Sequence, residues 1–143
     1  LYGLAGKLEE ALLKRVWLKS GGYLVIESTE ALTVIDVNTG KYDGSKNVEE
    51  TFALINREAA QETARQIRLR NLSGIILIDF INQKDRQAAK ELLEELRSLC
   101  KDDPVPVRVV DITALGLVEL TRKKVKGTLA EQLKGLKPTG VQR

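Results

Sequence analysis

The chain of 143 residues contains no histidine, no methionine and only one cysteine, Cys100. Without histidine there is no Ser–His or Cys–His nucleophile pair, no histidine zinc site and no two-histidine acid–base mechanism. A hydrolase built from these residues must use a carboxylate or water activated by a metal. One cysteine excludes an internal disulfide framework and suits a reducing cytoplasm. A full-length gene product begins with methionine, so its absence leads us to expect a fragment or a processed product. The opening fits that expectation: Leu8, Ala11 and Leu12 have helical spacing and run almost directly into a strand.

Aromatic residues make up 4% of the chain. Tyr23, Tyr42 and Phe80 are too few to argue for a base-stacking platform, and Trp17 reads as a core or subunit contact. No apolar run approaches the roughly 18 residues of a membrane-spanning helix, and no charged-then-apolar leader opens the chain. The glycines at 21–22 and 40–44 match neither a P-loop nor a dinucleotide-binding fingerprint.

What is present fits one globular domain, with 43% apolar and 30% charged residues, enough to build a core without staples. The net charge of +3 is concentrated late. Arg122, Lys123, Lys124, Lys126, Lys134, Lys137 and Arg143 stand against Glu131 alone. Such a tail reads as a solvated segment or as a phosphate-binding patch.

Short β-branched runs predict strands over 16–18, 23–27 and 31–37, the last stopping at Asn38-Thr39-Gly40. A long helix follows, with Asn47 as N-cap and Glu50 three residues on, ended by Asn71 and Gly74. Phe52, Ile55, Ala59, Ala60, Thr63, Ala64 and Ile67 form its inward face. The unbroken apolar run at 75–81 suggests a central strand covered on both faces. A second helix is expected over 84–101 and a strand over 107–110. The apolar stretch at 115–120 has no clear assignment. The expected fold is α/β: a mixed β-sheet with an N-terminal antiparallel hairpin, then βαβαβ crossovers with helices packed on the sheet.

Asp36 and Asp79 each lie near the carboxyl end of an apolar strand, the edge where open α/β sheets collect ligands. If their strands are parallel neighbours, both carboxylates reach one edge and repel unless a cation or proton lies between them. Magnesium takes one or two protein carboxylates and keeps open positions for water and phosphate oxygens. A turn or cap role explains either aspartate alone equally well. Asn38 shares a strand face with Asp36 and is either a supporting amide or a turn asparagine. Arg65, Arg68 and Arg70 suit the helix dipole as well as they suit phosphate contacts.

Several stretches resemble one family, in order and at nearly its spacing from about residue 15 to 124. They are Ser20-Gly21-Gly22, Glu30-Ala31-Leu32-Thr33-Val34-Ile35-Asp36-Val37-Asn38-Thr39-Gly40, Asn56-Arg57-Glu58-Ala59-Ala60, Arg65-Gln66-Ile67-Arg68-Leu69-Arg70-Asn71-Leu72, Gly74-Ile75-Ile76-Leu77-Ile78-Asp79-Phe80-Ile81 and Leu115-Gly116-Leu117-Val118-Glu119-Leu120-Thr121-Arg122-Lys123. The sequence resembles the ribonuclease E/G family. The resemblance implies the tail of a ribonuclease-H-like subdomain over 1–15, a deoxyribonuclease-I-like catalytic subdomain over 16–125 and a basic tail over 126–143. It implies that Asp36 and Asp79 bind catalytic Mg2+, with Mn2+ as a substitute, and that Asn38 supports them. It further implies cleavage of single-stranded RNA by metal-activated water, leaving 5′-phosphate ends, in cytoplasmic RNA processing and decay. Arg68, Arg70, Arg122, Lys123 and Lys124 are the candidate RNA contacts.

Some features depart from the family pattern. Its OB-fold RNA-binding and 5′-sensing domains would lie upstream of Leu1, so the chain alone is expected to be weak or inactive. The Cys-Pro-x-Cys zinc link that usually follows Thr-Arg-Lys has no counterpart in 127–143, so zinc is not expected here, although the full-length protein would be a homo-oligomer. Ala114-Leu115 before the last Gly-Leu is closer to the ribonuclease G branch, and Asn82 stands where Asp is frequent. Two other readings remain open: a non-catalytic RNA-binding or assembly module, and a deoxyribonuclease or other metal phosphodiesterase.

Overall fold

Glycine and Ser/Thr turns divide the early β-branched runs into an antiparallel meander of β1 (Arg15–Trp17), β2 (Tyr23–Ser28) and β3 (Leu32–Asn38). The first turn is closed by the Leu18 N–H donating to the Gly22 carbonyl and the Gly21 N–H donating to the Leu18 carbonyl. Gly21 has φ of 100° there, a conformation that suits glycine. In the second turn the Thr29 hydroxyl accepts from the N–H groups of Ala31 and Leu32. These elements come from a computed structural model, which describes residues 3–40 and 47–125. The expectations placed on Tyr42 and on the tail at 126–143 lie outside the described residues.

Helix α1 (Gly3–Leu12) precedes the meander, and α2 (Val48–Arg70) follows β3. The Asn47 side chain accepts from the Glu50 N–H at the start of α2, and Asn71, with φ of 51°, turns the chain out of it. Ile55, Ala59, Ala60, Ala64 and Ile67 are buried as expected, and the small alanines let the helix lie close to the sheet. Strand β4 (Gly74–Asp79) then pairs in parallel with β3. Helix α3 (Arg86–Cys100) is capped by Asp85 and buries Leu92, Leu93 and Leu96. It leads to β5 (Val107–Ile112) and β6 (Val118–Arg122).

The sheet order is β1-β2-β3-β4-β6-β5. The mixed α/β architecture expected from the sequence is present. The stretch without an assignment, 115–120, is the turn into β6 and the first half of that strand, which inserts antiparallel to both β4 and β5. Strands β4 and β5 therefore run the same way without touching.

One expectation is corrected. Ile76 and Ile78 are fully buried, but Ile75 is 41% exposed and Leu77 is only half-buried. Helices α2 and α3 join the same core cluster as Ile35, Ile76, Ile78, Val109 and Leu120. Among the described residues the opposite face of the sheet is uncovered. An apolar run has no alternation from which a one-sided strand can be recognised.

Ion pairs, one of them buried, fasten this layer. Arg65 of α2 makes ion pairs with Glu10 of α1 and with Glu62. Arg122 and Asp103 form an ion pair at 2.9 Å, with both side chains almost wholly buried. No described helix is long and apolar enough to cross a membrane.

Candidate metal centre

The parallel register of β3 and β4 sets Asp36 directly opposite Asp79. Along β3, Thr33, Ile35 and Val37 turn into the core, so Asp36 and Asn38 face the uncovered side. Along β4, Ile76 and Ile78 turn inward and Asp79 faces outward. Register partners on parallel strands share a face, and neighbouring strands are about 4.8 Å apart. The two carboxylates are therefore neighbours at the carboxyl end of their strands.

The electrostatics carry the mark of that closeness. Partial burial and the charge of Asp79 push the Asp36 carboxyl above its ordinary value, while a hydrogen bond from Asn38 works against them. The Asn38 amide also donates to the Asp36 carbonyl at 3.3 Å. Among the described residues no third histidine, cysteine or carboxylate completes a cluster. Two hard oxygen donors with an amide beside them fit magnesium or manganese, which take few protein ligands and leave places for water and phosphate. They do not fit a closed four-ligand zinc site.

Three features that sequence reasoning did not single out hold this edge in place. Asn56, buried in α2, grips the segment just past Asp79. Its amide nitrogen donates to the Ile81 carbonyl at 2.9 Å and to Gln83 Oε1 at 3.0 Å, and its oxygen accepts from the Ile81 N–H at 2.9 Å. Glu58, two residues further along α2, accepts from both the backbone N–H and the hydroxyl of Ser20 in the first hairpin. Gly22 lies so near the end of β3 that a Cβ there would be 2.8 Å from the Asn38 carbonyl oxygen. A detectable signal existed for Asn56: a polar residue at an inward position between Ile55 and Ala59. Only the fold shows that its partners follow Asp79.

The proposed RNA contacts lie elsewhere. Arg122 pairs in register with Gly74, at the far end of β4 from Asp79, roughly 17 Å away along the strand. Arg122 is 4% exposed, and its guanidinium donates to Asp103, to Asn71 Oδ1 and to the Leu72 carbonyl. Arg70 is 7% exposed and donates to Gln66 Oε1 and to the carbonyls of Glu10 and Leu13. Both arginines tie elements together inside the protein and present no free face to a ligand. Arg68, Lys123 and Lys124 are exposed, but they sit toward the same far end. The structure brings Asp36, Asp79 and Asn38 together and leaves the five basic residues away from them. Beside Asp79 a cleft opens between the sheet and α3, lined by Phe80, Ile81, Leu93, Ile112 and Val118.

Comparison with known proteins gives consistent matches. The sequence model of the ribonuclease E/G family matches residues 1–125. Ribonuclease G of Escherichia coli K12 is 42% identical over 139 residues, covering 97% of this chain and 28% of that protein. Ribonuclease G of Haemophilus influenzae is 45% identical over 133 residues, 93% of this chain and 27% of the relative. Ribonuclease E of Nostoc sp. PCC 7120 is 49% identical over 117 residues, 82% of this chain and 17% of the relative. The chain thus spans less than a third of the length of these relatives.

Proposed function

The chain belongs to the ribonuclease E/G family, and from that membership we infer that it carries the catalytic carboxylates of a magnesium-dependent endoribonuclease that cuts single-stranded RNA and leaves 5′-phosphate ends. The observation that supports this reading best is the register of β3 and β4, which makes Asp36 and Asp79 partners on one uncovered face. Two unneutralised carboxylates that close are unfavourable in the free chain, and a divalent ion between them removes the penalty.

Asp36 and Asp79 would hold the ion, with Mn2+ able to replace Mg2+. Bound there, the ion supplies Lewis acidity for phosphodiester hydrolysis. By fixing where that positive charge would sit on the sheet, Asp36 and Asp79 would set the place of the scissile phosphate. Asn38 keeps the Asp36 carboxylate ionised and aimed. Asn56 fixes the backbone after Asp79, so that carboxylate does not drift from its partner.

The test is cleavage of a single-stranded RNA by the full-length protein with Asp36→Ala or Asp79→Ala. Each variant is expected to lose cleavage by more than a hundredfold while keeping its circular dichroism spectrum. Cleavage at the wild-type rate by the double variant overturns the reading. In this chain alone, magnesium or manganese should perturb the nuclear magnetic resonance signals of Asp36 and Asp79 first.

A further inference from the structure

The uncovered face carries a second feature, at its other edge. Trp17 on β1 and Tyr23 on β2 are register partners, and Tyr23 is in turn the register partner of Asn38. All three side chains share the face of Asp36, because their neighbours Leu24 and Val37 turn into the core. The Trp17 and Tyr23 rings pack at a tilt, with centroids 5.0 Å apart and an interplanar angle of 55°. The Arg15 guanidinium lies 4.4 Å from the Tyr23 ring centroid and 5.6 Å from that of Trp17. Trp17 is 60% exposed. Among the described residues Arg15 forms no ion pair.

An exposed indole is costly on a soluble surface, and an arginine held against aromatic faces without a carboxylate keeps its full positive charge available. An exposed ring, a guanidinium plane and an unspent positive charge are what single-stranded nucleic acid requires: a π-face for a base and a cation for its phosphate. Tyr23 is one strand spacing from Asn38 and Trp17 two, about 10 Å across the sheet. A short stretch of single strand covers that separation.

We propose that Arg15, Trp17 and Tyr23 form a stacking platform for one base of single-stranded RNA a short distance from the phosphate held at Asp36 and Asp79. This rests on the endoribonuclease reading for the identity of the ligand. The open face of Trp17 takes the base. Tyr23 backs the indole and fixes its tilt. Arg15 bridges both rings and faces the adjacent phosphate. The carboxylate pair repels a polyanion until a cation neutralises it, so a positive group on the same face helps to hold the strand.

Trp17 is the only tryptophan, so its fluorescence reports on this site alone. The chain is titrated with single-stranded oligoadenylate in the presence of a chelator, where no metal-dependent cleavage occurs. Saturable quenching of Trp17 emission is expected. By the anisotropy of a labelled oligonucleotide, Trp17→Ala should weaken binding roughly 5- to 150-fold, the range for losing one stacked base. Trp17→Phe should retain most of the affinity, which a purely structural role of the indole does not predict. Binding of the labelled strand with no change in Trp17 emission overturns the proposal. Emission that changes with chain concentration alone, together with dimer formation, also overturns it and assigns the patch to a protein contact. The two readings fail separately. Quenching without aspartate-dependent cleavage leaves the platform and removes the nuclease; aspartate-dependent cleavage without quenching does the reverse.

Discussion

Replacing Arg122 with methionine keeps the volume of the side chain and removes its charge. In the structure Arg122 Nε donates to Asp103 Oδ2 at 2.9 Å and Nη2 donates to Oδ1 at 3.0 Å. Nη1 donates to Asn71 Oδ1 at 2.8 Å and to the Leu72 carbonyl at 3.0 Å. The side chains of the pair are 3% and 2% exposed, so the variant strands a carboxylate away from water. Removing one partner of such a pair costs about 3–5 kcal/mol, a large part of the ~5–15 kcal/mol that holds a domain together. The expected fall in Tm at pH 7 is roughly 10–20 °C, read by circular dichroism. Changing Asp103 to Asn in the same protein should recover part of the loss, because Asn still accepts from the Val105 N–H and carries no charge.

The pH dependence gives a second check on the same pair. Burial pushes the Asp103 carboxyl up, but the hydrogen bonds and charge of Arg122 and the Val105 N–H outweigh it and hold the carboxyl below its ordinary value of 3.8. A depressed folded value means the stabilisation is in place above 3.8 and is lost as pH falls through the lower folded value. In the Arg122→Met variant burial is opposed only by the Val105 N–H and the more distant charge of Arg68, so the carboxyl shifts upward and protonation on acidification relieves the stranded charge. The gap between wild type and variant should narrow from pH 7 to pH 4. A loss below about 1 kcal/mol, the size of an exposed pair, or a gap that stays constant refutes this account of Arg122. The folded variant should also keep the salt dependence of RNA binding, since Arg122 offers no donor to solvent.

Asn56→Ala leaves the Ile81 N–H and carbonyl without their partner; a loss of about 2–4 kcal/mol is expected by urea denaturation, with weaker manganese-induced line broadening at Asp79. Asp79→Asn removes the repulsion with Asp36, so it should raise the calorimetric Tm in chelator by a few degrees while abolishing the Tm gain that magnesium gives the wild type. Gly22→Ala sets a methyl 2.8 Å from the Asn38 carbonyl and 3.1 Å from Ile55 Cγ2; it should cost about 1–3 kcal/mol and shift the Asn38 amide resonance.

Local chemistry alone determined a good deal of this protein. The cap at Asn47, the αL exit at Asn71 and the alanine-rich face of α2 follow from side-chain hydrogen bonding and helical periodicity, which act within a few residues. The apolar frames around Asp36 and Asp79, one helix apart, pointed to adjacent parallel strands because a β–α–β unit has few ways to close. Other properties depend on which distant segments meet. Nothing local distinguishes a strand covered on both faces from one covered on a single face, so the exposure of Ile75 came from the tertiary structure. The insertion of β6 between β4 and β5 is a choice among long-range pairings of similar local strength. Arg70 and Arg122 read as surface cations because charge normally stays in water; only the packing of α1 and of the segment around Asp103 supplies the acceptors that draw them inside. Trp17 read as a core or subunit contact because large rings are usually covered, and only the sheet order sets it on an open face beside Tyr23 and Arg15.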